Sequence, residues 1–267
     1  MEIILQDYVK NDFCIIMSDL IELKKIRDDF QNDLRDWFDI AHSLIAITST
    51  GVDEISKEHL LSNPEAGYSF PVPISINGSP TLVSLNKLSY GEMFGIYVNH
   101  KGAIAELIYE RIIQRWYDFL HQIIEQIVKY HITGIKSYTN IPKVEIKVDF
   151  SQDNLLQQLP SLIKERFEFK KNIEKTGLIE KCLEQNIDNE LKQQIRKAII
   201  TRNLLEHSQG IIREQDTKEL GSNNIKLIGA DCKEKDFKVG DRVEITIYEL
   251  FELKQVFYKT SKMLIPE

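Results

Sequence analysis

The chain has 267 residues, 42% of them apolar and 28% charged. That is the composition of a folded globular protein with room for one large domain or two small ones. No apolar run approaches the roughly 20 residues that span a bilayer, and the acidic beginning Met1-Glu2-Ile3-Ile4-Leu5-Gln6-Asp7 has no basic region followed by a hydrophobic one. A cytoplasmic protein with no membrane contact is therefore expected. The net charge of −7 disfavours a general, sequence-blind grip on nucleic acid, which draws its strength from clustered Lys and Arg. Cys14, Cys182 and Cys232 are widely separated and show no metal-ligand spacing, and their odd number argues against a disulfide framework. All three are read as reduced.

Apolar residues at Ile16, Leu20, Leu23, Phe30, Leu34, Trp37, Ala41 and Leu44 follow a spacing of four and three, interrupted only where Arg27 takes the expected place. The pattern predicts one long amphipathic helix over about 12–48. Such a stripe packs inside a bundle or pairs as a coiled coil; Ile15, Ile26 and Phe38 widen it and favour the bundle. From Thr50 to Asn99 the helical period is lost, and Pro64, Pro71, Pro73, Pro80, Gly51, Gly67, Gly78, Gly91 and Gly95 mark a loop-rich insert. Within it, Phe70–Ile76 and Thr81–Leu85 suit a short hairpin around Asn77-Gly78.

A second long helix is predicted over about 102–131, with Ile104, Leu107, Ile108, Ile112, Trp116, Phe119, Leu120, Ile123, Ile127 and Tyr130 facing a core. Its density of large side chains marks it as central. Ile141–Phe150 alternates like a strand, Ser151 or Asp153 opens the next helical stretch, and Pro160 is read as restarting that helix in its first turn. Gly177 is read as a break followed by a short helix over about 178–186. Asp188 is placed to cap a helix that ends near Ser208 to Gly210, with Gly as the left-handed closing residue. Lys226–Ile228 and Asp241–Ile245 read as two short strands around a polar loop, and a last helix covers about 247–264.

On the helix after Asp188, Arg202 stands almost directly above Leu191 and in line with Ile195, Ala198 and Leu205, because each residue turns the chain by about 100°. A guanidinium on an apolar face needs a carboxylate, a crevice or an anionic ligand. His207, five positions later, lies about 140° around an ideal helix from Arg202, so the two converge only through a distorted last turn or a symmetry mate. One local basic cluster, Lys164, Arg166, Lys170, Lys171 and Lys175, reads either as a contact for RNA or as the solvated face of a helix. The remaining histidines, His42, His59, His100, His121 and His131, form no metal-binding constellation, and neither a P-loop nor a dinucleotide fingerprint is present. Chemistry without metal or cofactor is the consistent expectation.

The segment Arg202-Asn203-Leu204-Leu205-Glu206-His207 resembles the Arg-polar-three-residue-His motif of HEPN domains. Ser208-Gln209-Gly210-Ile211-Ile212 is similar to the continuation seen in many of them, and Lys238-Val239-Gly240-Asp241-Arg242-Val243-Glu244-Ile245 to the Gly-Asp strand before their closing helix. The resemblance covers about residues 101–266. It implies a HEPN-type helical bundle over 101–267; with the small β-hairpin read near the C-terminus, and the long helix and loop-rich insert read over 1–100 from their own patterns, the expectation is a mainly α protein.

Its functional implication is a metal-independent endoribonuclease of toxin or antiviral-defence type. Such a protein acts as a homodimer on RNA, with an antitoxin or regulatory partner. RNA cleavage of this kind uses the 2′-hydroxyl as internal nucleophile. Arg202 then binds phosphate oxygens, His207 moves the proton, and Asn203 positions either the imidazole or the phosphate. The alternative is a non-catalytic HEPN-like module that binds RNA or protein. A third reading is an oligomerisation protein built on the 12–48 stripe.

Overall fold

The computed structural model describes residues 2–55, 62–63, 65–69, 71–76, 79–84, 88–100, 102–138, 140–141 and 155–267; for residues 2–20 it describes the helical backbone alone. The expected strand over 141–150 and the helix-opening Ser151 or Asp153 lie outside these residues, apart from Ile141. The fold is mainly helical, a bundle with a small antiparallel sheet near the C-terminus. No described helix is long and apolar enough to cross a membrane.

The first helix, α1, runs Glu2–Ile55, longer at both ends than its stripe suggests. Leu23, Phe30, Leu34 and Ala41 are buried, whereas Leu44, assigned to the same face, is exposed and Ile45 packs in its stead. Arg27, the interruption of the stripe, is itself buried. It pairs with Asp28 at 2.8 Å and donates through Nη1 to the carbonyl of Ile265 at 2.8 Å. A cation thus meets a carbonyl at the C-terminal end of the last helix, where the backbone dipole favours it.

The described residues of the 50–99 region hold more regular structure than its glycines and prolines imply. Strands β1 (Gly67–Tyr68) and β4 (Leu88–Ser89) pair with each other, as do β2 (Pro71–Ile76) and β3 (Ser79–Ser84), with Ile76 opposite Ser79. The hairpin expected there is present; its Asn77-Gly78 turn is outside the described residues. Tyr90–Asn99 forms helix α2, a correction to the loop reading. Ser89 and Glu92 close a reciprocal capping box at its start, which fixes the helix strongly enough to carry Gly91 and Gly95 inside it.

Helix α3, Ala103–Ile132, is the axis of the bundle and touches α1, α4 (Leu155–Glu168), α5 (Asn172–Cys182), α6 (Asn189–Ser208) and α8 (Ile247–Leu264). Its buried residues include Ile113 and Ile124 beside the expected stripe, while Leu107 is 67% exposed. An aromatic stack ties three helices together: Phe30 lies 4.4 Å from Phe119 and 5.7 Å from Trp116, and Trp116 stacks on Phe257 of α8 at 4.7 Å.

Three further expectations are corrected. Pro160 lies inside α4 rather than at a restart, so it only removes one hydrogen bond from a helix already under way. Gly177 lies inside α5, and the turn comes after Cys182. The strand β5 (Ile225–Ile228) pairs not with 241–245 but with β6, Glu234–Phe237. Three of the four residues in β6 are charged and exposed, which hides a strand pattern. The short helix α7, Glu214–Leu220, had no counterpart in the sequence reading; Asp216 starts it by accepting from the Arg213 backbone N–H at 2.9 Å.

Candidate functional site

Helix α6 carries the Arg-x4-His segment. Leu191, Ile195, Ala198 and Leu204 bury its inner face, and Asp188 occupies the cap position, although its side chain makes no capping bond. The helix closes on Gln209, whose φ of 53° is left-handed. Gly210 follows with φ 79° and donates to the carbonyl of Leu204 at 2.9 Å. The left-handed closure therefore spans Gln209 and the expected Gly210. An added Cβ at Gly210 would meet Cγ of Arg242 at 3.2 Å.

Beyond the helix, the chain pairs with the segment that precedes α8. Val243 N–H donates to the Gly210 carbonyl at 2.9 Å, Ile212 N–H to Asp241 at 3.0 Å and Gly240 N–H to Ile212 at 2.9 Å, around an Ile211–Arg242 bridge. Arg242 Nη2 in turn pairs with Glu106 of α3 at 2.9 Å. A cavity of about 370 Å³ opens here, lined by Asn99, His100, Ala103, Glu106, Gln209 and Arg242.

Arg202 and His207 are brought together by the residue between them. Glu206 Oε2 forms an ion pair with Arg202 Nη1 and also stands 3.1 Å from His207 Nε2. Glu206 thus bridges the two while its own side chain stays 39% exposed. Arg202 Nη1 also donates to Asn203 Oδ1 at 3.4 Å, so Asn203 touches the arginine. Side-chain exposure rises along the group from 20% for Arg202 to 39% for Glu206 and 62% for His207, leaving it open to solvent on the histidine side.

Helix α3 supplies neighbours that no linear pattern marked. The Glu110 carboxyl is pushed up by partial burial, held back by the positive charge of Arg202 and raised further by Glu206 and Glu106. The Tyr117 phenol is pushed up to about 12 by burial, against the pull of Arg202. Both side chains occupy helix positions that an apolar stripe fills equally well, so only three-dimensional proximity to Arg202 singles them out.

The members of the local basic cluster differ in their surroundings. Lys164 pairs with Glu125 at 2.9 Å; Arg166, Lys170 and Lys171 are exposed at the end of α4 and in the turn before α5. Lys175 is buried, a correction to its reading as a surface cation. Its ammonium donates to Nε2 of His121 at 3.3 Å and lies 5.5 Å from the Tyr117 ring and 5.7 Å from the Phe167 ring. Glu168 stands 3.8 Å from the other nitrogen of His121. Burial lowers the pKa of both Lys175 and His121; the lysine charge depresses His121 further, and Glu168 opposes the shift in each.

Comparison with protein-family models, with curated proteins and with solved structures finds no match for this chain.

Proposed function

We propose that the chain is a metal-independent endoribonuclease of HEPN type, acting as a homodimer in a toxin or antiviral-defence setting under an antitoxin or regulatory partner. The observation that carries this reading is the gathering of Arg202 and His207 on one oxygen of Glu206, although the two are far apart around an ideal helix. The pairing of Gly210–Ile212 with Gly240–Val243 adds support, because these are the segments flanking the motif in the HEPN resemblance.

In the reaction, the 2′-oxygen attacks the adjacent phosphorus and the bond to the 5′-oxygen breaks, giving a 2′,3′-cyclic phosphate and a 5′-hydroxyl. His207 takes the proton from the 2′-hydroxyl or delivers one to the leaving oxygen, and the half-exposed end of α6 gives it access to both. Arg202 holds the phosphate oxygens and offsets the charge that grows in the transition state. Lys170 and Lys171 lie on exposed chain where they contribute contacts to the RNA backbone, as does Arg166; Lys164 does so only after release from Glu125. The second motif of a dimer completes the cleft on the open side.

The carboxylates of Glu110 and Glu206 beside Arg202 favour a second reading, a non-catalytic module whose acidic rim takes a basic protein segment. Incubation of the purified protein with mixed RNAs in EDTA separates the two. Cleavage with 2′,3′-cyclic ends, lost in both Arg202→Ala and His207→Ala, is expected. Cleavage unchanged in either variant, or no cleavage by the wild type over a range of RNAs, refutes the nuclease.

A further inference from the structure

Resting on the ribonuclease reading of this site, we propose that Glu206 is an internal anion that holds the place of a phosphodiester oxygen between Arg202 and His207, so that a phosphate-bearing ligand must displace it. A single carboxylate oxygen, Oε2, accepts from Nη1 of Arg202 and stands 3.1 Å from Nε2 of His207. A phosphate oxygen seated between a guanidinium and an imidazole asks for the same two donors. Both contacts of Arg202 run through Nη1, which leaves the rest of its donor fork for a second phosphate oxygen.

Displacement requires no backbone movement. Glu206 is four residues from Arg202 on the same helix and partly exposed, so a change of rotamer carries its carboxylate into water. Glu110 lies close enough for Glu206 to raise its pKa. Once a phosphate neutralises Arg202, Glu206 is left facing like charge from Glu110 and from the ligand, and it is driven outward. A partly exposed pair of this kind is weakened by solvent screening. It discriminates against stray small anions while yielding to a polyanion that brings further contacts.

The test uses a labelled 2′-deoxy oligonucleotide, which lacks the attacking hydroxyl, titrated with the full-length protein and followed by fluorescence anisotropy. Glu206→Ala and Glu206→Gln are both expected to bind about fivefold more tightly than the wild type, the factor that removal of one weak, solvent-screened competitor yields. Arg202→Ala is expected to lose most of the affinity. If neither Glu206 variant gains affinity while Arg202→Ala loses it, the displacement proposal is overturned and the phosphate site on Arg202 stands. If Arg202→Ala binds like the wild type, the anion site and the nuclease reading fall together. Circular dichroism of the Glu206 variants, expected to match the wild type because the side chain is solvent-facing, excludes a folding explanation.

Discussion

Replacing Phe30 by Ala tests whether α1 is held by the bundle as the packing indicates. Phe30 is 5% exposed and lies against both Phe119 and Trp116. Removing a buried phenyl ring costs about 3–5 kcal/mol through lost transfer energy and the cavity left behind, and part of an aromatic stacking term of roughly 0.5–1.5 kcal/mol goes with it. Taking about 4 kcal/mol, and roughly 2–4 °C per kcal/mol for a chain of this size, the Tm falls by about 8–16 °C. Thermal unfolding followed by circular dichroism reads this directly. Trp116 is one of two tryptophans, so intrinsic fluorescence reports on the same contact. Ile47→Ala, at a side chain 68% exposed, serves as the control and changes stability by less than about 0.5 kcal/mol. A Phe30→Ala protein that melts within about 2 °C of the wild type refutes the docking of α1 on α3.

The part-buried His121–Lys175 contact is expected to make stability depend on pH. His121 titrates below its ordinary value of 6.5 in the folded chain, so its contribution is present above that value and is lost as pH falls through the folded pKa. Wild-type Tm is expected to drop between pH 7 and pH 5 by more than that of His121→Gln; equal drops would remove His121 as the cause. Gly210→Ala places a side chain at φ 79° with its Cβ 3.2 Å from Arg242 Cγ. A loss of about 1–2 kcal/mol is expected in urea titration, and a variant as stable as the wild type would show that the closure of α6 tolerates a side chain.

The long helices were legible because their stripes are periodic over many turns: α3 and α8 match expectation within a residue or two at each end. The hairpin at 71–84 was legible through its turn residues. Other elements were hidden by single residues read too literally. Gly177 reads as a break and Pro160 as a restart, yet tertiary packing holds a helix across each, and the capping box at Ser89 overrules Gly91 and Gly95. Strand β6 has almost no alternation to detect, since only Phe237 points inward. In the site, the burden on Arg202 was legible as an Arg among apolar neighbours, and so was the need for a device to join it to His207. Half of the device was legible, since Glu206 stands at i+4 from Arg202, the spacing of a helical ion pair; nothing in the sequence places the same oxygen beside His207. Lys175 likewise looks like one more cation in a basic run, and only the fold of α5 against α3 turns it inward.

The clasp between the first and last helices has a consequence for how the chain is made. Arg27 bonds to Ile265 and Gln31 to Ser261, pairs separated by 238 and 230 positions. At roughly 5–20 residues per second, a ribosome needs about 10–50 s after delivering α1 before it delivers these partners. Through that interval the Arg27, Gln31 and Phe38 side of α1 waits without its α8 contacts, and contacts of such long range form slowly in any case. The side of α1 that faces α8 therefore stays uncovered until the last turn of α8 has been made.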